Sequence, residues 1–275
     1  INETALIQRF HQRVMNIPLS EVFASANARL EGDHRVLATL NEMKREANCS
    51  GCSEKALLKA ARLELALQEY VNERGLSAAA VSCWRDMQEV YGICPCLTMS
   101  RLTHQGMMFS CEADVYGALA MLVQYLLLRG RAMPCFIEWA VQHQELENVF
   151  LAWNCGSAAA CLAADPEAIV VREQSIMSQM VGPERAQCAI EFQLKPGMVT
   201  LCRLAEHDGE FKMLIARGEV IRSADELRGA WGWVKVPDLA QLYRVLAEQA
   251  FGNHASLVYG DIADALEAFC KFVGI

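Results

Sequence analysis

The sequence predicts an α/β protein in which helices first alternate with short buried strands and a stretch of antiparallel β structure follows. Three observations carry this. Apolar runs at residues 78–83, 107–111, 133–137 and 149–153 are short and bounded by polar or turn residues, as buried parallel strands are. Helical spacing precedes the first run and recurs between the others. After Asp165-Pro166, β-type segments are separated by Pro196-Gly197, Asp208-Gly209 and Arg217-Gly218, which are turn pairs of antiparallel strands. With 275 residues, of which 53% are hydrophobic and 21% charged, the chain can bury one large core or two smaller ones, and disorder is excluded.

Taken in order, residues 1–48 read as helical, with Leu6, Phe10 and Val14, then Leu30, Leu37 and Leu40, near a helical period and Pro18 as a break. A second helix starts at the cap residue Ser53 and stops at Gly75. Between the apolar runs, residues 86–91, 114–128 and 141–147 are predicted helical, the second long and apolar on most faces. The later part reads as strands at 189–194, 198–205, 210–216 and 231–236, which a small barrel or a sandwich would accommodate. Helices at 239–250 and 262–273 flank a turn at 251–256 that contains His254.

Composition narrows the partners. Lys+Arg 25 against Asp+Glu 33 gives a net charge of -8, so the chain lacks the basic footprint that nucleic acid or an anionic membrane surface selects. The longest nearly apolar stretch, residues 116–128, is interrupted by Gln124 and is too short to span a bilayer, which predicts a soluble, cytoplasmic protein acting on a small molecule. Twelve cysteines are spread through the chain, with Cys83, Cys111, Cys135 and Cys155 at the edges of apolar runs; they read as reduced, buried thiols. Cys49-Ser-Gly-Cys52 has the spacing of a zinc knuckle or redox pair, but the nearby Cys94-Pro-Cys96 is spaced poorly for zinc. No secretory signal opens the chain, and Ile1 in place of Met fits a processed or truncated product.

In open α/β sheets, ligands gather at the carboxyl ends of strands. The residues there are Trp84, Glu112 with Asp114, Glu138, and Asn154 with Cys155 and Gly156. Asp114 is explained as the cap of the helix that follows it. Glu138 stands in an apolar run beside Trp139, where an unpartnered charge would be costly unless a metal or polar substrate meets it. Trp84 and Trp139 could each offer a flat face to a sugar or sit in the core.

The order and spacing of Cys111-Glu112-Ala113-Asp114-Val115-Tyr116-Gly117-Ala118-Leu119, Phe136-Ile137-Glu138-Trp139, Asn154-Cys155-Gly156, Thr200-Leu201-Cys202-Arg203-Leu204, Met213 to Glu219, and Asn253-His254-Ala255-Ser256 with Tyr259-Gly260-Asp261 resemble the L-fucose isomerase and L-arabinose isomerase superfamily. The resemblance implies a manganese-dependent aldose–ketose isomerase, with magnesium as the alternative ion, working through an enediol. It implies an α/β domain over residues 1–130 and a carboxy-terminal domain with an antiparallel β-barrel over 131–275, a first family domain lying outside this sequence. It implies Glu112, Glu138 and His254 as metal ligands; the chemistry adds the acid–base pair as a second role of the two glutamates, and Trp84, Trp139 and Asn154 are the candidate substrate contacts. It implies a homo-oligomer, hexamer or trimer, whose sugar cleft is completed by a neighbouring subunit. Arabinose isomerases carry a further histidine near the position of Asn154, so the three-ligand arrangement of fucose isomerases is the nearer pattern. The ligand set suits the chemistry, since moving a proton between two carbons of a sugar needs a base, an acid and a stabilised oxyanion, and hard oxygen ligands with one imidazole suit manganese or magnesium. His11, His34, His104, His143 and His207 read as surface residues. The alternatives are a non-catalytic sugar- or metal-binding relative and an epimerase using the same metal site.

Overall fold

In the computed structural model, which describes residues 1–275, the helical opening is divided by its own sequence. Helix α1 (Glu3–Phe10) is capped by Asn2, whose side chain accepts from the Ala5 N–H. Helix α2 (Leu19–Asn27) starts directly behind Pro18, where the break is expected, and α3 (His34–Glu46) is capped by Asp33. Helix α4 (Glu54–Arg74) runs from its cap Ser53 to Gly75, whose φ of 62° terminates it in the left-handed region.

Strand β1 (Ala78–Ala80) pairs in parallel with β2 (Met108–Ser110), with Ala79 opposite Phe109. The crossover between them is a one-turn π-helical segment, Met87–Tyr91, followed by α5 (Cys96–His104), which the sequence reading did not anticipate. Helix α6 (Val115–Leu127) follows β2 closely, as its apolar run predicts.

The other two predicted parallel strands belong elsewhere. Strands β3 (Cys135–Gln142) and β4 (Val149–Asn154) pair antiparallel, with Glu138 opposite Trp153. The physical reason is the link: residues 143–148 are too few for the crossover that parallel neighbours require, which takes a dozen or more residues. The brief helix expected over 141–147 is therefore the end of β3 and a turn.

After β5 (Val170–Arg172) and α7 (Ser175–Val181) come β6 (Ala189–Gln193), β7 (Gly197–His207), β8 (Glu210–Val220) and β9 (Ala230–Lys235). Helix α8 (Leu239–Glu248), β10 (His254–Tyr259) and α9 (Ala263–Val273) complete the chain. Asp208-Gly209 makes the β7–β8 turn with φ of 52° and 88°, as the motif predicts. Arg217-Gly218, expected as a turn, lies within β8; a side chain at Gly218 would meet Val234 of β9. The eight strands form one sheet in the order β4-β3-β10-β7-β8-β9-β6-β5, with a further pairing of β4 to β9. All pairs are antiparallel except β6 with β9.

Helix α6 lies across this sheet and fixes where the small parallel sheet meets it. Gln124 donates to the Thr200 carbonyl (3.1 Å) and accepts from the Ser256 hydroxyl (2.6 Å), all three groups buried. Near its start, Gly117 lets the helix approach closely, because a Cβ there would collide with the ring of Phe136 on β3. The β2–α6 turn is thereby held against the middle of β3 and the start of β10.

Candidate metal centre

The β2–α6 turn has an uncommon backbone. Glu112 and Ala113 both have positive φ, 56° and 55°, at a cost of about 1–2 kcal/mol each for residues with a side chain. Hydrogen bonds from Glu112 N–H to the Cys83 sulfur (3.3 Å) and from Ala113 N–H to the Val81 carbonyl (3.0 Å) hold it. The turn leaves Asp114 as the cap of α6, accepting from the Gly117 N–H at 2.8 Å, and frees the Glu112 side chain from that task.

Glu138 is not at the end of a strand, as the parallel reading expects, but in the middle of β3. His254 is not in a turn; it opens β10, and it stands directly opposite Glu138 in the ladder. Residues opposite one another share a face of the sheet, so the two side chains and Phe136, which contacts the imidazole at 4.7 Å between ring centres, look toward the β2–α6 turn. One ligand atom from each of Glu112, Glu138 and His254 lies within 4.8 Å of the others.

The histidine is oriented from behind. Its Nδ1 lies 3.0 Å from an oxygen of Asp114, which also accepts from Arg203 of β7. Burial by itself pushes the Asp114 carboxyl up, but the hydrogen bond with His254 and the charge of Arg203 outweigh it and hold the carboxyl below its usual range. An ionised carboxylate can only accept, so Nδ1 carries a proton and Nε2 is the ring nitrogen turned toward the two glutamates. That Nε2 is buried and has no hydrogen-bond partner, and Glu112 lies 3.6 Å from it. Burial, then Cys155 and Glu112, push Glu138 up to about 7, against the opposing effect of His254. An unpartnered buried imidazole nitrogen facing two carboxylates is a donor set with a deficit of positive charge, and two oxygens with one nitrogen fit a hard divalent cation.

Residues 152–275 match the family described as L-fucose isomerase, C-terminal domain. The chain is 29% identical over 255 residues to a sulfoquinovose isomerase of Alkalicoccus urumqiensis, covering 92% of this chain and 55% of that protein. It is 32% identical over 218 residues to a sulfoquinovose isomerase of Clostridium sp. (strain MSTE9), covering 77% and 46%. An L-arabinose isomerase of Actinobacillus succinogenes is 26% identical over 275 residues, covering 95% and 51%. Across most of its length the chain is thus similar to proteins of the L-fucose isomerase and L-arabinose isomerase superfamily. It spans about half the length of the curated relatives it matches.

The expected substrate contacts fare unequally. Asn154 is fully buried, and its side-chain oxygen accepts from Gly156 N–H (2.9 Å), Ser157 N–H (2.7 Å) and Ser157 hydroxyl (2.9 Å) while its amide donates to the Cys111 sulfur (3.7 Å). Its polar groups are engaged in fixing a turn, so it does not offer a hand to a ligand. Trp139, next to Glu138 along β3, points to the opposite face and packs on Phe150 at 5.1 Å in the main core. Trp84 is half-buried and packs with Trp153 around Cys94, Cys96 and Cys155.

Three residues at this site escape the sequence reading. Asp114 is the helix cap that its position predicts and also the partner of His254, a second task that the capping signal does not reveal. Arg203 lies far away in sequence and reaches Asp114 only through the pairing of β7 with β10. Trp153 stands opposite Glu138 on the same face, half-buried, its indole N–H donated to the Arg228 carbonyl at 2.7 Å. The β3–β4 register identifies it, and that register was legible in the short link. No helix is long and apolar enough to cross a membrane.

Proposed function

We propose that this chain carries the metal-binding and acid–base residues of an aldose–ketose isomerase that works through an enediol. The observation that carries the reading is the buried, unpartnered Nε2 of His254 aimed at two carboxylates. Glu112, Glu138 and His254 would hold manganese(II), or magnesium, and when bound such an ion supplies Lewis acidity toward the oxygens of the sugar. Glu138, whose carboxyl is pushed up to about 7, is suited to hold or release a proton near neutral pH. Glu112, more exposed and presented on a strained turn, is the complementary proton carrier. Asp114 keeps the His254 ring in one tautomer, and Trp153 offers a flat apolar face beside Glu138.

The antiparallel strands are read as a barrel, supported by the pairing of β4 with both β3 and β9. A division near residues 130 and 131, assembly as a homo-oligomer and a cytoplasmic location belong to the same proposal. The names of the relatives make sulfoquinovose, L-arabinose and L-fucose the first sugars to assay. Incubation in D2O with manganese(II) should convert one of them to its ketose with one solvent deuterium on the reacting carbon, and Glu138→Gln should abolish this. Ketose formed with the original hydrogen retained would overturn the proton-transfer reading.

A further inference from the structure

Glu112, Glu138 and His254 come from two separately built parts of the molecule. Glu138 and His254 face each other across a ladder of the large sheet. Glu112 stands on the β2–α6 turn, which is tied to the small sheet through Cys83 and Val81 and through the Ser110 hydroxyl, which donates to the Asp114 carbonyl at 2.7 Å. The three donor atoms lie within 4.8 Å of one another only while the two parts keep one alignment. Gln124 joins α6 to the large sheet, but it sits about 15 Å further along the helix than Asp114. The turn needs a link of its own.

The Asp114 side chain is that link. Its Oδ1 accepts from the Gly117 N–H (2.8 Å) at the start of α6. Its Oδ2 is shared by two groups of the large sheet, Nδ1 of His254 (3.0 Å) and Nη1 of Arg203. Arg203 and Asp114 are both withdrawn from solvent, with 11% and 9% of their side chains exposed. Arg203 lies in β7, one residue past Cys202, which stands opposite Ser256 of β10, so the arginine and the histidine ride on neighbouring bonded strands. The segment that enters β10 is threaded against the same guanidinium, since a Cβ on Gly252 would lie 3.3 Å from Nη2. One donor of the arginine goes unmet, because its Nε is buried without a partner. A buried unmet donor costs stability, and a residue kept at that cost calls for a role beyond packing.

From this geometry we infer that Arg203 is a positioning residue of the metal centre: by holding Oδ2 of Asp114 it fixes, together, the imidazole of His254 and the turn that sets Glu112 against Glu138. The inference rests on the metal reading proposed above. Arg203 bonds none of the three ligands itself and acts through Asp114. Without the guanidinium, the carboxyl is free to turn about its own side chain, and the imidazole and the Glu112 turn loosen with it. A carboxylate behind a metal-bound histidine is worth about 10–100-fold in metal affinity, and Arg203 governs such a carboxylate.

The test is calorimetric titration of the whole chain with manganese(II), as the parent, Arg203→Leu, Arg203→Lys, Asp114→Ser and Arg203→Leu/Asp114→Ser, beside nitrogen-15 NMR of labelled histidine in the metal-free proteins. Arg203→Leu should weaken manganese(II) binding about 10-fold or more, and Arg203→Lys, which can restore one bond to Oδ2, should recover part of the loss. Serine at 114 still caps α6 and is too short to reach Arg203, so the double variant should bind no more weakly than Asp114→Ser. The His254 Nδ1–H signal, assigned by its absence from His254→Ala, should be present in the parent and lost to solvent exchange in Arg203→Leu, with circular dichroism unchanged. An ion pair that is merely structural would lower the urea midpoint of Arg203→Leu and leave manganese(II) affinity and the histidine signal as in the parent, and that result would overturn the inference. So would affinity losses that add in the double variant. Absence of binding by the parent would defeat the metal reading separately, and the histidine signal would then decide whether Arg203 positions His254; an identical signal in the parent and Arg203→Leu would show that it does not. Should Arg203→Leu not fold, Arg203→Gln, which keeps a donor of shorter reach, takes its place with the same outcomes.

Discussion

Two clusters in this molecule bring glutamates to a nitrogen base, and they are opposites. At the first, Arg101 of α5 is 5% exposed and bonds Glu42, Glu46 and Glu64, with Glu64 itself buried and also bonded by Gln105. Each charge there has an opposite charge against it, and the cluster joins α3, α4 and α5. At the second, Glu112, Glu138 and His254 bring two carboxyl groups to one imidazole, and the inward nitrogen has no partner. Charge density is similar; saturation differs. A cluster that completes its own bonding holds a fold together, and one left short of positive charge is shaped for something that arrives later.

Breaking the saturated cluster should have the largest effect on stability. Arg101→Ala leaves Glu64 buried and unpaired, and urea denaturation should show a loss of about 3–5 kcal/mol with manganese(II) affinity unchanged in the fraction that remains folded. An equal loss of metal affinity would erase the distinction between the two clusters. Asp114→Asn tests the support behind the histidine. Asparagine still caps α6, so the fold should hold, while metal affinity should fall about 10–100-fold because the ring loses its fixed tautomer.

The third prediction concerns pH. The carboxyl of Glu138 is raised from 4.5 to about 7 by burial and by its neighbours, so its contribution is fully present below pH 4.5 and is lost as pH rises through about 7. The metal-free parent should therefore lose stability relative to Glu138→Gln over that interval. With the group partly open to solvent the difference should reach only about 1 kcal/mol, read from denaturation midpoints of the two proteins across the range. A parallel pH dependence in both would show that Glu138 is already satisfied in the metal-free chain.

The two clusters were unequally legible in the sequence, and the reason is distance. Helix α4 follows from Ser53, its apolar face and Gly75, and α6 from one apolar run, because caps and periodicity are local signals. The β7–β8 hairpin follows from Asp208-Gly209 for the same reason. Strand direction at β3 and β4 was misjudged from composition, although the six-residue link 143–148 contained the answer. Glu112, Glu138 and His254 were singled out through family motifs, and the motifs carry no geometry; that Glu138 and His254 face each other across a ladder depends on β10 entering between β3 and β7. Arg203 is hidden for that reason, and the surroundings of Asn154 and Trp139 are hidden because sequence does not reveal which polar atoms are already engaged or which face a strand residue takes.

The most direct test is calorimetric titration of the chain with manganese(II), beside His254→Ala and Glu138→Gln. The site described here predicts one equivalent bound by the parent and binding lost in both variants, with circular dichroism unchanged. Absence of binding by the folded parent, or binding that survives His254→Ala, would contradict the reading of the unpartnered imidazole as a metal ligand.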